Sequence, residues 1–145
     1  MTPMATQNAQ SCWSTAPRLS VAELFERGFR RNRTAPLPIQ GRRCAGAEGL
    51  SACFSVEMDA GKLTAIGFRA STCATLLAYC ELVAETAVGS APLAARRLSP
   101  ADLVAGLPGV PMLKRDRAAL AIAAFRAVLS EIPESNTNRN EDATP

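Results

Sequence analysis

Histidine is absent from the chain. That removes Ser–His and Cys–His catalysis and every imidazole metal ligand, so any metal here must be held by sulfur, oxygen or a non-protein donor. The cysteines at 12, 44, 53, 73 and 80 contain no Cys-x-x-Cys pair, which excludes a zinc ribbon or a thioredoxin-type site. An odd number of thiols with no export signal argues against a disulfide framework. Aromatic residues make up only 5% of the chain. Few lie near its basic stretches, so a nucleic-acid partner would rest on charge alone, without the stacking platforms that single strands use. No apolar run is clean enough to span a bilayer: Glu81 and Glu85 interrupt 74–88, and Arg126 interrupts 118–132. No membrane association is therefore expected. The N-terminus shows no basic start followed by an apolar stretch, so the expected compartment is the cytosol.

What is present is one domain's worth of patterned sequence. Residues 1–19 and 133–145 are rich in Ser, Thr, Asn, Pro and Ala without apolar period and are expected to be flexible tails. Residues 20–132 are left as a single domain. The net charge is +3, concentrated in Arg27, Arg30, Arg31, Arg33, Arg42 and Arg43 and again in Arg96, Arg97, Lys114, Arg115 and Arg117. These are either solvated faces or docking patches for an acidic protein partner.

Ser20 followed three residues later by Glu23 has capping-box spacing. Val21, Leu24, Phe25 and Phe29 then share one helical face, predicting a helix that ends near Asn32. Pro36, Pro38, Gly41, Gly46 and Gly49 make 34–50 a loop or irregular strand. Alternation of Ala52, Phe54, Val56 and Met58 with Cys53, Ser55 and Glu57 predicts a half-buried strand. A turn at Asp59-Ala60-Gly61 and a returning strand over 62–70 complete a hairpin. Ser71 or Thr72 is expected to cap a helix running to Val88, with Gly89 as its C′ residue. Leu76, Leu77, Cys80, Val83, Ala84 and Ala87 form its apolar stripe. Ser99-Pro100-Ala101-Asp102 opens a short helix that ends near Leu107-Pro108-Gly109. A last helix is predicted over 114–132, with Ala118, Ala121, Ile122, Phe125, Val128, Leu129 and Ile132 in helical register. The order gives an α+β fold: a small antiparallel sheet built on the hairpin 52–70, with helices packed on one face.

Cys73 is the most informative residue. It follows a strand and opens a helix, where free N–H groups and the helix dipole favour a thiolate, the form that binds soft metals and attacks sulfur donors. The alternative is a buried cysteine acting as a small apolar residue. Cys44 lies in a Gly-rich loop beside Arg42 and Arg43 and is either a ligand or an incidental surface thiol. Cys80 lies in the apolar stripe and reads as core. Cys53, opposite in phase to Phe54, could face solvent, another layer or the site. Asp116, at the start of the last helix, is either a solvated charge favoured by the dipole or an oxygen ligand for iron.

Met58-Asp59-Ala60-Gly61 through Gly67-Phe68-Arg69-Ala70-Ser71-Thr72-Cys73 resembles the hairpin that leads to the second ligand cysteine of the U-type iron–sulfur cluster scaffolds (the IscU and NifU N-terminal family). Gly61 precedes Cys73 by twelve residues, Glu85 follows it by twelve, and Gly89 follows Glu85 by four, as in that family. Leu98-Ser99-Pro100-Ala101-Asp102-Leu103, Leu107-Pro108-Gly109-Val110-Pro111 and Arg117-Ala118-Ala119-Leu120-Ala121 continue the likeness. Phe29-Arg30-Arg31-Asn32-Arg33 resembles the family's Asn-Pro-Arg-Asn segment more loosely. The likeness spans 20–132 and is most specific in the central block.

The resemblance implies a SufE/NifU-like fold and a non-enzymatic role. Such a protein takes sulfur from a cysteine desulfurase, binds iron, builds a transient [2Fe–2S] cluster and passes it to acceptor apo-proteins with a chaperone. Cys73 matches the second cysteine, Cys44 is the candidate for the first, and Asp116 stands where many members have His. The third cysteine position is Arg117, and no Cys-Gly-Asp follows Cys44. Since a [2Fe–2S] cluster takes four protein ligands, two expectations follow. One is a scaffold or carrier holding iron or a labile cluster through Cys44 and Cys73, with Asp116 as a further metal ligand. The other is a cluster-less adaptor of the same shape that docks on a desulfurase, chaperone or client.

Overall fold

In the computed structural model, residues 20–133 are described; the tails expected at 1–19 and 133–145 lie outside them, Pro133 excepted. The hairpin dominates the architecture. β3 (Ser51–Asp59) and β4 (Lys62–Ala70) pair antiparallel from Ala52 opposite Ala70 to Asp59 opposite Lys62. The two residues between them, Ala60 and Gly61, have φ of 53° and 78°, the double positive-φ geometry of the hairpin turn whose twist matches that of the strands.

The segment expected as loop or irregular strand supplies two short strands on the opposite edge of β3. β1 (Ile39–Gln40) meets Val56 and Ser55, and β2 (Cys44–Ala45) meets Ala52 and Ser51. Gly41 lets the chain bend between them: a Cβ there would stand 2.7 Å from the Val128 backbone. A 3₁₀ turn, Ala47–Gly49, joins β2 to β3. Before β1 the chain crosses the outer face of the sheet, held by Leu37 N donating to Ser55 Oγ (2.9 Å) and by Arg69 donating to the Thr34 carbonyl (3.0 Å).

All the larger helices lie on the inner face. α1 (Val21–Arg31) starts at the Ser20–Glu23 capping box predicted from sequence. α2 (Ala74–Ala87), the one-turn α3 (Pro92–Ala95), α4 (Pro100–Gly106) and α5 (Asp116–Leu129) follow β4. The fold is thus α+β, a small antiparallel sheet covered by helices. Phe54 of β3 meets Phe125 of α5 edge-on at 5.3 Å and Phe68 of β4 at 5.5 Å, and all three rings are buried. Removing a ring of this kind costs about 3–5 kcal/mol through lost transfer and a residual cavity. No described helix is long and apolar enough to cross a membrane.

Three helix boundaries differ from expectation. Ser71 does not cap α2, because its Oγ and N–H are spent on Ser51, locking the start of β3; Cys73 takes the N-cap instead, with extended φ and ψ of −134° and 121°. The last helix begins at Asp116, since Met112–Lys114 is a 3₁₀ turn. It ends at Leu129, which leaves Ile132 outside it.

The free edge of β4 is blocked along its length. Gly89 N donates to the Leu63 carbonyl (2.7 Å) and Leu63 N to the Ser90 carbonyl (2.9 Å), which pins the end of α2. Asn32 exchanges two bonds with the Ala70 backbone (2.8 and 3.2 Å). Between them Arg31 donates to the Ile66 carbonyl at 2.7 Å. Such covering stops an edge strand from recruiting another chain.

Candidate functional site

The elements that matter converge where β2, the start of α2 and the start of α5 meet. Cys44 pairs across the sheet with Ala52, and Ala52 with Ala70. Paired residues share a sheet face, and Ala52 is buried against the helices. Cys44 therefore points toward the helix layer. Cys73 follows Ala70 by three residues and opens α2 at the same end of the sheet. Both thiols are half-buried against the core.

Arg117 occupies the second residue of α5 and is only 6% exposed. Its Nη1 donates to Asp116 Oδ1 at 2.8 Å and its Nη2 to Glu48 Oε1 at 2.9 Å. Glu48 sits in the turn between β2 and β3 with φ of 57°, so this bond ties the loop after Cys44 to α5. The arginine pKa is raised above its ordinary value first by Asp116, then by the side-chain interaction with Cys73, with Glu48 adding to both against the desolvation that opposes them. Cys73 thus acts on the guanidinium, while Arg117 Nε is buried with no hydrogen-bond partner.

A second buried atom without a partner, the Tyr79 hydroxyl, lies within electrostatic reach of Arg115 and Asp116, and burial pushes its pKa up. Buried polar atoms are nearly always paired. Two orphans around one helix start mark a place that packing alone does not explain. Beside it a groove of about 310 Å³ runs along α5, with Ala45, Gly46, Leu50, Asp116, Arg117 and Leu120 among its walls.

The predicted residues are therefore brought to one neighbourhood but not into one donor set. Asp116, expected as an oxygen ligand, has Oδ1 engaged by Arg117. Among the described residues no group of three or more Cys, Asp or Glu side chains is gathered as a metal site. Cys44, Cys73 and Asp116 supply three of the four donors that a [2Fe–2S] cluster takes. Cys53 lies on the outer face of the sheet opposite Arg69, in a small cleft with Thr34, Pro36 and Gln40, away from the helix layer. Cys80 is core, as its place in the apolar stripe predicts, and burial pushes its thiol pKa far up. Cys12 lies outside the described residues.

Sequence reasoning missed the largest polar feature. Arg31 forks Glu81, with Nε to Oε1 at 2.6 Å and Nη2 to Oε2 at 2.9 Å, and Arg27 reaches Glu85 at 2.9 and 3.1 Å. The signal was available: two arginines four apart on α1 and two glutamates four apart on α2, one helical turn each. Glu48 carried no signal, because only the tertiary fold brings it to Arg117.

No family model matches the chain, and no curated protein matches it. Among solved structures, a crystal structure of a hypothetical protein is similar over 75% of this chain and 96% of that chain, at 16% identity and a TM-score of 0.47. A likeness that remote carries no functional weight.

Proposed function

We propose that this protein is a cluster-less adaptor of iron–sulfur assembly, retaining a scaffold-like frame in which a guanidinium stands where the third ligand would be. The observation that carries this reading is Arg117, buried at the start of α5 and held by Asp116 and Glu48 beside Cys73. A fixed positive charge beside Cys73 repels an iron cation, and it takes up the carboxylate oxygen that iron would need. It attracts an anionic sulfur instead. If the Cys73 thiolate attacks the outer sulfur of a persulfide on a cysteine desulfurase, breaking that S–S bond and releasing the desulfurase cysteine as thiolate, the new Cys73 persulfide meets a charge-assisted donor there. The chain performs no turnover of its own. It docks on the desulfurase, a chaperone or an acceptor apo-protein, and its exposed Arg96, Arg97 and Lys114 favour acidic partners.

A scaffold or carrier of iron or of a labile [2Fe–2S] cluster is the second reading. It is favoured by Cys44 and Cys73 both packing against the core at the same end of the sheet. There the cluster is cargo, and its remaining ligands come from elsewhere, such as a client or a second copy.

Anaerobic reconstitution with ferrous iron, a desulfurase and cysteine separates the two. The adaptor reading expects no visible chromophore and no stoichiometric iron on the wild type, co-elution with the desulfurase, and a gain of both chromophore and iron in Arg117→Cys. A wild-type chromophore that disappears in Cys73→Ser overturns the adaptor in favour of the carrier. Absence of both iron and desulfurase binding overturns both.

A further inference from the structure

The outer side of α1 carries chemistry that neither the sheet nor α2 uses. Leu24 and Gly28 are buried toward α2. Further round the helix, Phe25 and Phe29 form an aromatic ridge with ring centroids 5.9 Å apart. Phe29 remains 39% exposed, with the Arg33 guanidinium 5.6 Å over its ring. Glu26 and Arg30 flank the ridge and line an open groove of about 380 Å³ with the two phenylalanines. Both are exposed, and neither side chain makes a hydrogen bond among the described residues. An exposed aromatic with an uncommitted charge of each sign beside it is the make-up of an interface core and rim.

The order of those charges selects the occupant. Acidic Glu23 and Glu26 lie in the first half of the helix, and basic Arg30 and Arg33 lie at and beyond its end. Glu26 and Arg30 stand equally far before and after Gly28, and so do Glu23 and Arg33. An α1 helix run antiparallel against itself, crossing level with Gly28, therefore sets Glu26 opposite Arg30 of the partner subunit, and Glu23 opposite Arg33 of the partner subunit. At 100° per residue Glu26 and Arg30 fall on the same flank of the phenylalanine ridge, and in an antiparallel pair like flanks meet. A uniformly acidic partner would be repelled by Glu23 and Glu26. A second copy, reversed, is matched at both ends, the self-complementarity that a two-fold interface requires.

We propose that α1 pairs two copies of this chain, antiparallel about a two-fold axis at Gly28, through the Phe25–Phe29 ridge and reciprocal Glu26–Arg30 ion pairs. This inference is independent of the proposed function. The helix is 11 residues long, so one helix pair buries less than the roughly 1,200–2,000 Å² of a stable complex. The dimer is accordingly weak and concentration-dependent.

A charge-swap experiment on the full chain tests it. Wild type should shift from monomer to dimer with concentration in sedimentation velocity. Glu26→Arg or Arg30→Glu alone should place like charges opposite each other twice per dimer and raise the dissociation constant about tenfold or more. Phe29→Ser should do the same by removing the ridge. Mixing the two charge variants should restore dimer, read in native mass spectrometry as the heterodimer in excess of either homodimer. All three positions are exposed, so unchanged far-UV circular dichroism is expected and identifies a folded variant. A wild type that stays monomeric over the whole concentration range overturns the proposal. So do single variants that dimerise as tightly as wild type, and so does a mixture that yields no heterodimer.

Discussion

Replacing Arg31 by Ala should destabilise the protein, and by more at alkaline than at acidic pH. Glu81 is 1% exposed, and two of the three Arg31 nitrogens fork it while the third holds the Ile66 carbonyl on β4. Removing the guanidinium strands a carboxylate between α1 and α2, because Arg27 is turned to Glu85. Breaking a buried pair from one side costs about 3–5 kcal/mol. The Arg31 side chain is 32% exposed, which puts the cost near the lower end, about 3 kcal/mol.

A proton limits that cost. Burial pushes the Glu81 pKa up from 4.5 to about 7, Arg31 holding it down and the neighbouring Glu85 adding to the rise. Folding therefore takes up a proton at Glu81. The stability this gives is full below the ordinary value of 4.5 and is lost as pH rises through about 7, a contribution of at most about 3 kcal/mol. Glu85 works oppositely. Partial burial pushes it up, but its interaction with Glu81 and its bonds to Arg27 hold it below the ordinary value, so its contribution is present above that value and lost on acidification. Wild-type stability should thus decline from about pH 5 to about pH 7 and then level. Without Arg31, Glu81 titrates higher still, so the Arg31→Ala penalty should grow toward about pH 8. Glu81→Gln keeps the shape and removes the titration, and should flatten the slope. Urea unfolding followed by far-UV circular dichroism reads all of this. An Arg31→Ala penalty equal at both ends of the pH range, or a wild-type slope that persists in Glu81→Gln, would refute the reasoning.

Two backbone positions give further tests. A Cβ on Gly28 would stand 2.6 Å from the Leu77 carbonyl oxygen and 3.3 Å from the Glu81 Cβ. Gly28→Ala should therefore destabilise by about 1–2 kcal/mol through overpacking at the α1–α2 contact, despite the roughly 1 kcal/mol that helix propensity favours; a rise in urea midpoint would show that the helices part freely. Ala60 holds a φ of 53° at the first turn position, where Asn is preferred before Gly. Ala60→Asn should stabilise the protein by about 0.5–1 kcal/mol, read as a higher urea midpoint at unchanged slope, and no gain would mean that the turn relaxes without strain.

The parts of this fold that were legible in the sequence are those written in local code. The Ser20–Glu23 box, the Asp59–Lys62 turn and the apolar stripe of the helix after Cys73 each lie within one or two turns of chain, where periodicity and capping chemistry act. What was hidden is whatever a partner far along the chain decides. Ser71 has the chemistry of a helix cap, but β3 claims it. Residues 39–45 have the glycines and proline neighbours of a loop, but the exposed edge of β3 offers them a ladder and Val128 the space to bend against. A short strand that pairs only a couple of residues carries too little alternation to announce itself.

The same division runs through the site. That Arg117 falls in the first turn of the last helix was readable from the helical period. That it would be buried, with Asp116 and Glu48 as its counter-charges, was not, because Glu48 is 69 positions away and sits in a turn with no pattern of its own. Two carboxylates are arranged to neutralise the buried guanidinium, and one of them belongs to the turn that follows Cys44. A buried charge is tolerated only when it is met in this way. The counter-charges make Arg117 a built part of the Cys73 environment, and a cysteine there alone would remove the cation that Asp116 and Glu48 share and leave a cavity where the buried guanidinium was. The Arg117→Cys variant should therefore become less stable without metal even as it gains the capacity to bind it, so its thermal midpoint should rise on reconstitution, the linkage expected when a ligand binds only the folded state. A variant as stable as wild type without iron would mean that the two carboxylates were never organised around the arginine.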